Sequence, residues 1–281
     1  MNLRTTRWCA WGGLVATVIW VIGFFAISGF VPAPNPGNTA AQTAEIFRGN
    51  ADRIRLGLIV TMFGACLVVP WAVAITVVMK RMEGRYHPLA DTNLVLGCLL
   101  LPEFCFPIFA WLAATYRGER SDQMIQLLSD LGWIPFMGFV FSVIPQGAAI
   151  ALVIFRDKRK QPLFPRWVAY LNIWFVLTML PGSILAFFKT GPFAWNGVLT
   201  FWVAMVGYIS WTIVMSIWTA KATYLLEVED KDLGLITESP DLETIRRIGL
   251  LSADVDKLRH ELDESRSTPP GRLLADSTLR T

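Results

Sequence analysis

Charge is scarce in this 281-residue chain. Only 17% of its residues are charged, whereas 54% are hydrophobic and the mean hydropathy is positive. An ordinary soluble domain carries about 25% charged residues. The net charge of +3 is small, and the basic residues gather beside apolar runs, so the composition argues against nucleic acid as a partner. It is typical of a membrane protein instead.

Histidine is scarcer still, and several catalytic motifs are missing. The chain has two histidines, His87 and His260, and neither lies in an apolar run, which excludes a bis-histidine haem in the membrane and a di-iron oxygenase centre. The four cysteines show no metal-binding spacing. There is no phosphate-binding glycine-rich loop, no Gly-x-Ser-x-Gly elbow and no Cys-x-x-Cys. We therefore expect no metal, no cofactor and no enzyme activity.

Long apolar runs are what the chain has in abundance. Each is long enough to cross a hydrocarbon core of about 30 Å. The first is too long for a signal peptide and no Ala-x-Ala site follows it, so we expect a retained helix. The sequence therefore predicts an all-α, polytopic six-helix transmembrane bundle over residues 8–219, with proline-kinked helices. The predicted spans are about 11–31, 56–79, 92–116, 132–155, 167–188 and 194–219.

The distribution of Lys and Arg predicts the orientation of these spans. The amino terminus (residues 1–7) and the second and fourth loops carry two, three and five basic residues, against three, two and one in the alternate loops. The positive-inside rule therefore places both termini in the cytoplasm. Two short amphipathic stretches, about 39–54 and 121–131, predict helices on the outer surface.

The polar segment 220–281 is predicted to be a cytoplasmic tail with a helix over about 240–264. Ser239 and Pro240 provide a good helix start. A 3-4 spacing then predicts an apolar seam that needs a surface to pack on. Its partner could be the membrane domain itself, a second copy of the chain or another membrane protein. The seam residues are Ile248, Leu251, Val255, Leu258 and Leu262.

Glu103 is the strongest candidate for a functional side chain. It lies ~17 Å into the third predicted span, near the middle of the hydrocarbon core. An unpaired ionisable group facing lipid there costs ~3 kcal/mol, so Glu103 should face protein or water. Gln146 lies at a similar depth in the fourth span. We hypothesise that the two side chains face one another and form the polar floor of an apolar cavity enclosed by spans two to five.

Prolines accompany both side chains. Pro102 precedes Glu103 and Pro145 precedes Gln146, while Pro181 interrupts the fifth span. A proline removes one helical hydrogen bond and frees a carbonyl, which nearby polar side chains can satisfy. These three prolines are therefore counted with the candidate ligand-binding residues. The alternative is that Glu103 and Gln146 only join helices in a tightly packed bundle.

Two further features receive a structural interpretation. Asn172 lies near the start of the fifth span, where we expect it to serve packing or capping. A tryptophan stripe runs along the sixth span, and we expect it to face lipid rather than to bind a cofactor. The stripe consists of Trp195, Trp202, Trp211 and Trp218.

Three strings resemble a group of six-span bacterial membrane proteins found in actinobacteria and in proteobacteria that live on hydrophobic compounds. They are DxRxxPxFPRW at 157–167, LPG at 180–182 and FFKTGPFAWNG at 187–197. The resemblance implies the six-span topology and a bacterial plasma (inner) membrane. It carries no activity, substrate or binding residue over to this chain, and it suggests lipophilic substrates by association.

Two functions fit these features best. The first is a protein that binds or passes a lipophilic small molecule at a pocket in the middle of the membrane. The second is a non-catalytic accessory subunit of a larger membrane complex, which docks through the tail helix on a membrane-protein partner or a second copy. A channel fits less well because no span has a continuous polar face, and an enzyme fits least.

Overall fold

A computed structural model describes residues 3–233 and 249–260, and every regular element in these ranges is helical. The all-α prediction is confirmed. The α-helices up to residue 233 are α1 (Leu3–Trp20), α2 (Ala40–Gly49), α3 (Ala51–Cys66), α4 (Val68–Glu83), α5 (Pro88–Tyr116), α6 (Asp122–Gly138), α7 (Val143–Arg156), α8 (Arg166–Met179) and α9 (Ala204–Asp232). Three further segments have other helical geometries: Val21–Ile27 and Val198–Val203 are π-helical, and Leu180–Phe187 is 3₁₀-helical.

Six helical stretches are long and apolar enough to cross a membrane, which indicates a multi-pass membrane protein. The orientation of the termini and the proline kinks stay predictions. We number the stretches as spans one to six in chain order. They are Leu3–Ile27, Ala51–Glu83, Pro88–Tyr116, Asp122–Arg156, Arg166–Phe187 and Val198–Asp232.

The chain divides into two compact units, Met1–Glu227 and Val228–Thr281. In the second unit, residues 249–260 are helical and belong to the helix predicted over about 240–264. The side chains of Leu251, Val255 and Leu258 are exposed there. The other two seam residues, Ile248 and Leu262, lie outside the described residues.

The two predicted surface helices take different forms. The first corresponds to α2, whose N-cap Thr39 accepts a hydrogen bond from the Gln42 backbone while the Gln42 side chain accepts one from the Thr39 N–H. The second is not a separate element. It is the first part of α6, which starts after the N-cap Ser121 and continues without a break into the fourth span. No glycine or proline interrupts the stretch between Ser121 and Leu131, so nothing local ends the helix there.

Small residues allow spans one and two to cross closely. A Cβ atom built on Gly57 would lie 2.5 Å from the carbonyl oxygen of Gly23 and closer still to the backbone nitrogen of Ser28. A Cβ on Gly23 would lie 2.7 Å from the Gly57 carbonyl oxygen. In a lipid bilayer the hydrophobic effect does not drive helices together, so they associate through close packing of this kind.

Arginine side chains satisfy backbone carbonyls at one end of the first unit. We call this the loop-rich end; it holds residues 28–50, 117–121 and 188–197. Arg53 donates to the carbonyls of Ala26 and Ile27, where the π-helical part of span one ends. Arg48 donates to the carbonyl of Gly118. The Arg53 bonds satisfy acceptors at the end of a helix, and the Arg48 bond satisfies one in the loop that follows α5.

We predict that Gly57→Ala destabilises the protein by about 1–3 kcal/mol, because the added methyl group meets backbone atoms that cannot rotate away. Thermal unfolding in detergent, followed by size-exclusion chromatography, measures the loss as a lower midpoint. Gly49→Ala is the matched control, since nothing lies within 4 Å of its added Cβ. Equal midpoints for the two variants would contradict the close crossing.

Candidate functional site

Regular α-helix is interrupted inside five of the six spans. Span four is the clearest case, because residues 139–142 separate α6 from α7. In span two, Leu67 separates α3 from α4. In spans one, five and six, α-helix exchanges with π or 3₁₀ geometry, at Trp20/Val21, Met179/Leu180 and Val203/Ala204. Irregular backbone within a membrane is tolerated where it is buried in protein or lines a cavity. The positions of the irregular backbone therefore indicate where to look for a ligand-binding site.

Four of these interruptions, those in spans one, four, five and six, meet at one cavity of about 80 Å³, which is partly open. We call it the central cavity. Span three completes its wall. Its apolar lining consists of Leu100, Phe104, Phe136, Met137, Phe139, Val140, Val143, Met179, Gly182, Ala204 and Met205. The three lining residues with a polar side-chain atom are Trp20, Glu103 and Tyr208.

Glu103 is held by the break in span four. It lies roughly 22 Å along α5 from Pro88, near the middle of that helix. Its Oε2 atom accepts a hydrogen bond of 2.6 Å from the Ser142 hydroxyl. Ser142 immediately precedes α7, so the carboxyl group lies beside a helix N-terminus, whose partial positive charge stabilises an anion. Pro145 stands in the first turn of α7 and has no N–H, which removes one of the unsatisfied donors there.

Trp20 contributes a donor without an acceptor. Its side chain is 6% exposed, and its indole N–H has no hydrogen-bond partner among the described residues. The ring stacks on Phe24 and lies 6.5 Å from the rings of Phe136 and Tyr208. A buried donor left unpaired costs about 1–3 kcal/mol. A polar group bound in the cavity would recover part of that cost.

Gln146 does not pair with Glu103, contrary to the hypothesis drawn from the sequence. It is fully buried and donates to Oδ1 of Asn93 at 3.2 Å, while Nδ2 of Asn93 donates to the Thr76 hydroxyl at 2.9 Å. The reason is helix register. The bonds Ser142–Glu103 and Gln146–Asn93 show that α5 and α7 run antiparallel. One turn further along α7 than Ser142, Gln146 therefore meets Asn93 on α5 and not Glu103.

Of the five candidate ligand-binding residues, Glu103 alone is in the lining given above. Pro102, Pro145 and Pro181 are each next to, or two residues from, a lining residue. Gln146 belongs to the Asn93–Thr76 cluster, which joins spans two, three and four.

The tryptophan stripe is partly buried, which corrects the expectation that it faces lipid. Trp211 is fully buried; its indole N–H donates to Oδ1 of Asn172 at 2.8 Å, and its ring stacks on Phe175 at 4.2 Å. Trp195 is buried as well, and it donates to a carbonyl in the loop-rich end. Asn172 is therefore an interhelical partner inside the protein. The cause is that tryptophan suits a buried position when its N–H finds an acceptor.

Sequence reasoning missed three residues of the site: Trp20, Ser142 and Tyr208. Each lies in an apolar run, where a single tryptophan, serine or tyrosine is common. The one usable signal is Ser142, because it stands three residues before a proline inside a span. That signal indicates a possible break in the helix and a hydroxyl near it.

No family model matches this chain. No curated protein and no solved structure matches it either. The resemblance to six-span bacterial membrane proteins therefore stays a prediction, and the site must be interpreted from its own geometry.

We predict that Asn93→Leu destabilises the protein by about 1 kcal/mol, because it leaves the Gln146 amide without its acceptor. The thermal unfolding midpoint in detergent measures the change. Thr92→Val is the matched control, since Thr92 is exposed and bonds only its own helix, to the Pro88 carbonyl. Equal midpoints would show that the Asn93 cluster adds nothing to helix association.

Proposed function

We propose that this protein binds or passes a lipophilic small molecule, whose polar group lies at Glu103 in the central cavity. The observation that carries the proposal is the meeting of four interrupted spans around a carboxyl group in mid-span. Membrane transport proteins build ligand sites near the bilayer midplane from discontinuous helices of this kind. The apolar lining selects a lipophilic body, and the few polar groups orient it.

The size of the cavity defines how such a molecule would lie. A cavity of about 150 Å³ is needed to hold benzene, and drug-sized ligands occupy roughly 300–1,000 Å³. The central cavity measures about 80 Å³. It therefore encloses the polar group and the first few atoms of the ligand. The remaining apolar part extends through the open side.

The polar groups of the cavity define the chemistry of the bound end. Glu103 supplies an acceptor already hydrogen-bonded to Ser142, and Trp20 supplies a donor that lacks a partner among the described residues. An alcohol or a phenol satisfies this pair, because each can donate to the carboxyl group and accept from the indole; a protonated amine would satisfy the carboxyl group alone. A pure hydrocarbon would leave both groups unsatisfied.

We further propose that the protein resides in the bacterial plasma membrane with both termini in the cytoplasm. The excess of Lys and Arg in the terminal segment and in alternate loops supports this orientation. Labelling of single cysteines introduced at Lys158 and Lys189 tests it in intact cells. An impermeant reagent should label position 189 and leave position 158 unlabelled.

We predict that wild-type protein, purified gently from native membranes, carries one enriched lipophile, and that Glu103→Gln reduces its amount roughly 10–100-fold. The reason is that a hydrogen bond to a charged group contributes about 1.5–3 kcal/mol. Mass spectrometry of extracted small molecules measures the retained amount. Ala204→Leu should reduce it too, because the larger side chain fills part of the cavity while the Glu103 carboxyl group is kept.

Glu119→Gln is the matched control, since it makes the same chemical change at an exposed position. It should retain the lipophile at the wild-type level. If no lipophile is enriched, or if all variants retain the same amount, the small-molecule function is wrong. Thermal midpoints of each variant separate lost binding from lost folding.

The accessory-subunit function remains the second candidate, and one observation favours it. Residues 249–260 form a helix whose Leu250, Leu251, Val255 and Leu258 side chains are each about 60% exposed. Such a face is suited to a helix-in-groove contact with a partner protein. The same purification tests this function, because a stoichiometric co-purifying protein without an enriched lipophile would favour it. Leu251→Asp should then release that protein.

A further inference from the structure

A second and larger cavity lies between α1 and α9, within the unit Met1–Glu227. Its volume is about 430 Å³, and it is an open groove rather than an enclosed space. We call it the interfacial groove. It lies near the start of α1, and its nearest residue on that helix, Trp11, precedes Trp20 of the central cavity by nine positions. Arg7 and Trp11 line it from α1, while Trp218, Lys221, Tyr224 and Leu225 line it from α9.

Helical spacing explains how these residues come to share one face. Arg7 and Trp11 are one turn apart on α1, and Trp218, Lys221 and Leu225 follow one another at intervals of three and four on α9. Ala10 and Ala220 pack together with Ala74 behind the groove. These small side chains let the two helices approach closely.

The groove combines cations with aromatic rings. The ammonium group of Lys221 lies 4.5 Å from the centre of the Trp218 ring, and the Arg7 guanidinium lies 5.2 Å from that of Tyr224. Cation–π contacts of this kind hold a charged side chain in place while leaving its hydrogen-bond donors available. Trp11 and Tyr224 are 38% and 56% exposed, so the rings border open space.

The basic residues at the groove outnumber the carboxylates that pair with them. Glu227 forms an ion pair with Arg7 at 2.5 Å and a longer one with Arg4 at 3.7 Å, so one carboxylate serves two guanidinium groups. Within the described ranges, no carboxylate forms an ion pair with Lys221. The groove therefore has an excess of positive charge, and Lys221 is the cation in it that has no carboxylate partner there.

We propose that the interfacial groove binds the headgroup of an anionic phospholipid. Tryptophan and tyrosine rings concentrate at the headgroup level of a bilayer, and basic pockets between membrane helices bind acidic headgroups there. The phosphate lies against the ammonium group of Lys221. One acyl chain follows the apolar side chains of Ile217 and Leu225. This site does not depend on the proposed function of the central cavity.

The lining argues for a lipid rather than for a free anion. Eight residues line the groove. Two of them are charged, and the other six are aromatic or aliphatic. Inorganic phosphate would gain nothing from Trp11, Ile217 or Leu225, whereas a phospholipid buries apolar surface on them. The headgroup and the chain therefore use different parts of the same groove.

Native mass spectrometry of the full-length protein in detergent, titrated with phosphatidylglycerol, tests the site. Lys221→Gln should weaken binding of the first phosphatidylglycerol about fivefold, since one basic residue near an anionic headgroup contributes about 1 kcal/mol. Lys221→Arg should restore it because the charge is kept. Lys158→Gln is the matched control; it removes an exposed lysine outside the groove. Its binding should equal that of the wild type.

Phosphatidylcholine and inorganic phosphate complete the experiment. Phosphatidylcholine, which has no net charge, should bind more weakly than phosphatidylglycerol and should not respond to Lys221→Gln. Inorganic phosphate at millimolar concentration should not displace the lipid. The proposal is overturned if phosphatidylcholine binds equally well, if phosphate displaces the lipid, or if Lys158→Gln weakens binding as much as Lys221→Gln does.

Discussion

The lack of hydrogen-bonding partners in hydrocarbon is the constraint on which the rest of this structure depends. Each backbone group or polar side chain inside the six spans either forms a hydrogen bond within the protein or lowers the stability of the fold. Asn93 illustrates the solution, because its amide connects Thr76 on span two with Gln146 on span four. Trp211 and Asn172 form the corresponding contact between spans five and six.

The central cavity is where irregular backbone concentrates. Four spans lose regular helical geometry around it, and its carboxyl group relies on a single hydroxyl. Elsewhere, glycines such as Gly57 bring helices into backbone contact, which leaves no space for a ligand. Close packing therefore leaves no space for a ligand at crossings such as that at Gly57, whereas the irregular backbone of the central cavity leaves space beside Glu103.

The two proposed sites rely on different physical effects. In the central cavity, low polarity strengthens the hydrogen bonds of Glu103, so a single polar group can determine how a lipophilic molecule lies. The interfacial groove is open, so water and salt screen its charges and each charge contributes little alone. Lys221 and Arg7 therefore act together, and the aromatic rings position them. A ligand for one site has little reason to bind at the other.

The sequence by itself determined the class of this protein: six apolar runs, the helices they form, and Glu103 as an ionisable group in mid-span. These features are local, since hydropathy and proline positions act over one or two helical turns. The tertiary structure alone decided which side chains meet. Glu103 contacts Ser142 rather than Gln146, and Trp211 is buried rather than exposed to lipid. Helix register and rotation, which arise from packing between distant segments, decide such pairings, and no local pattern encodes them.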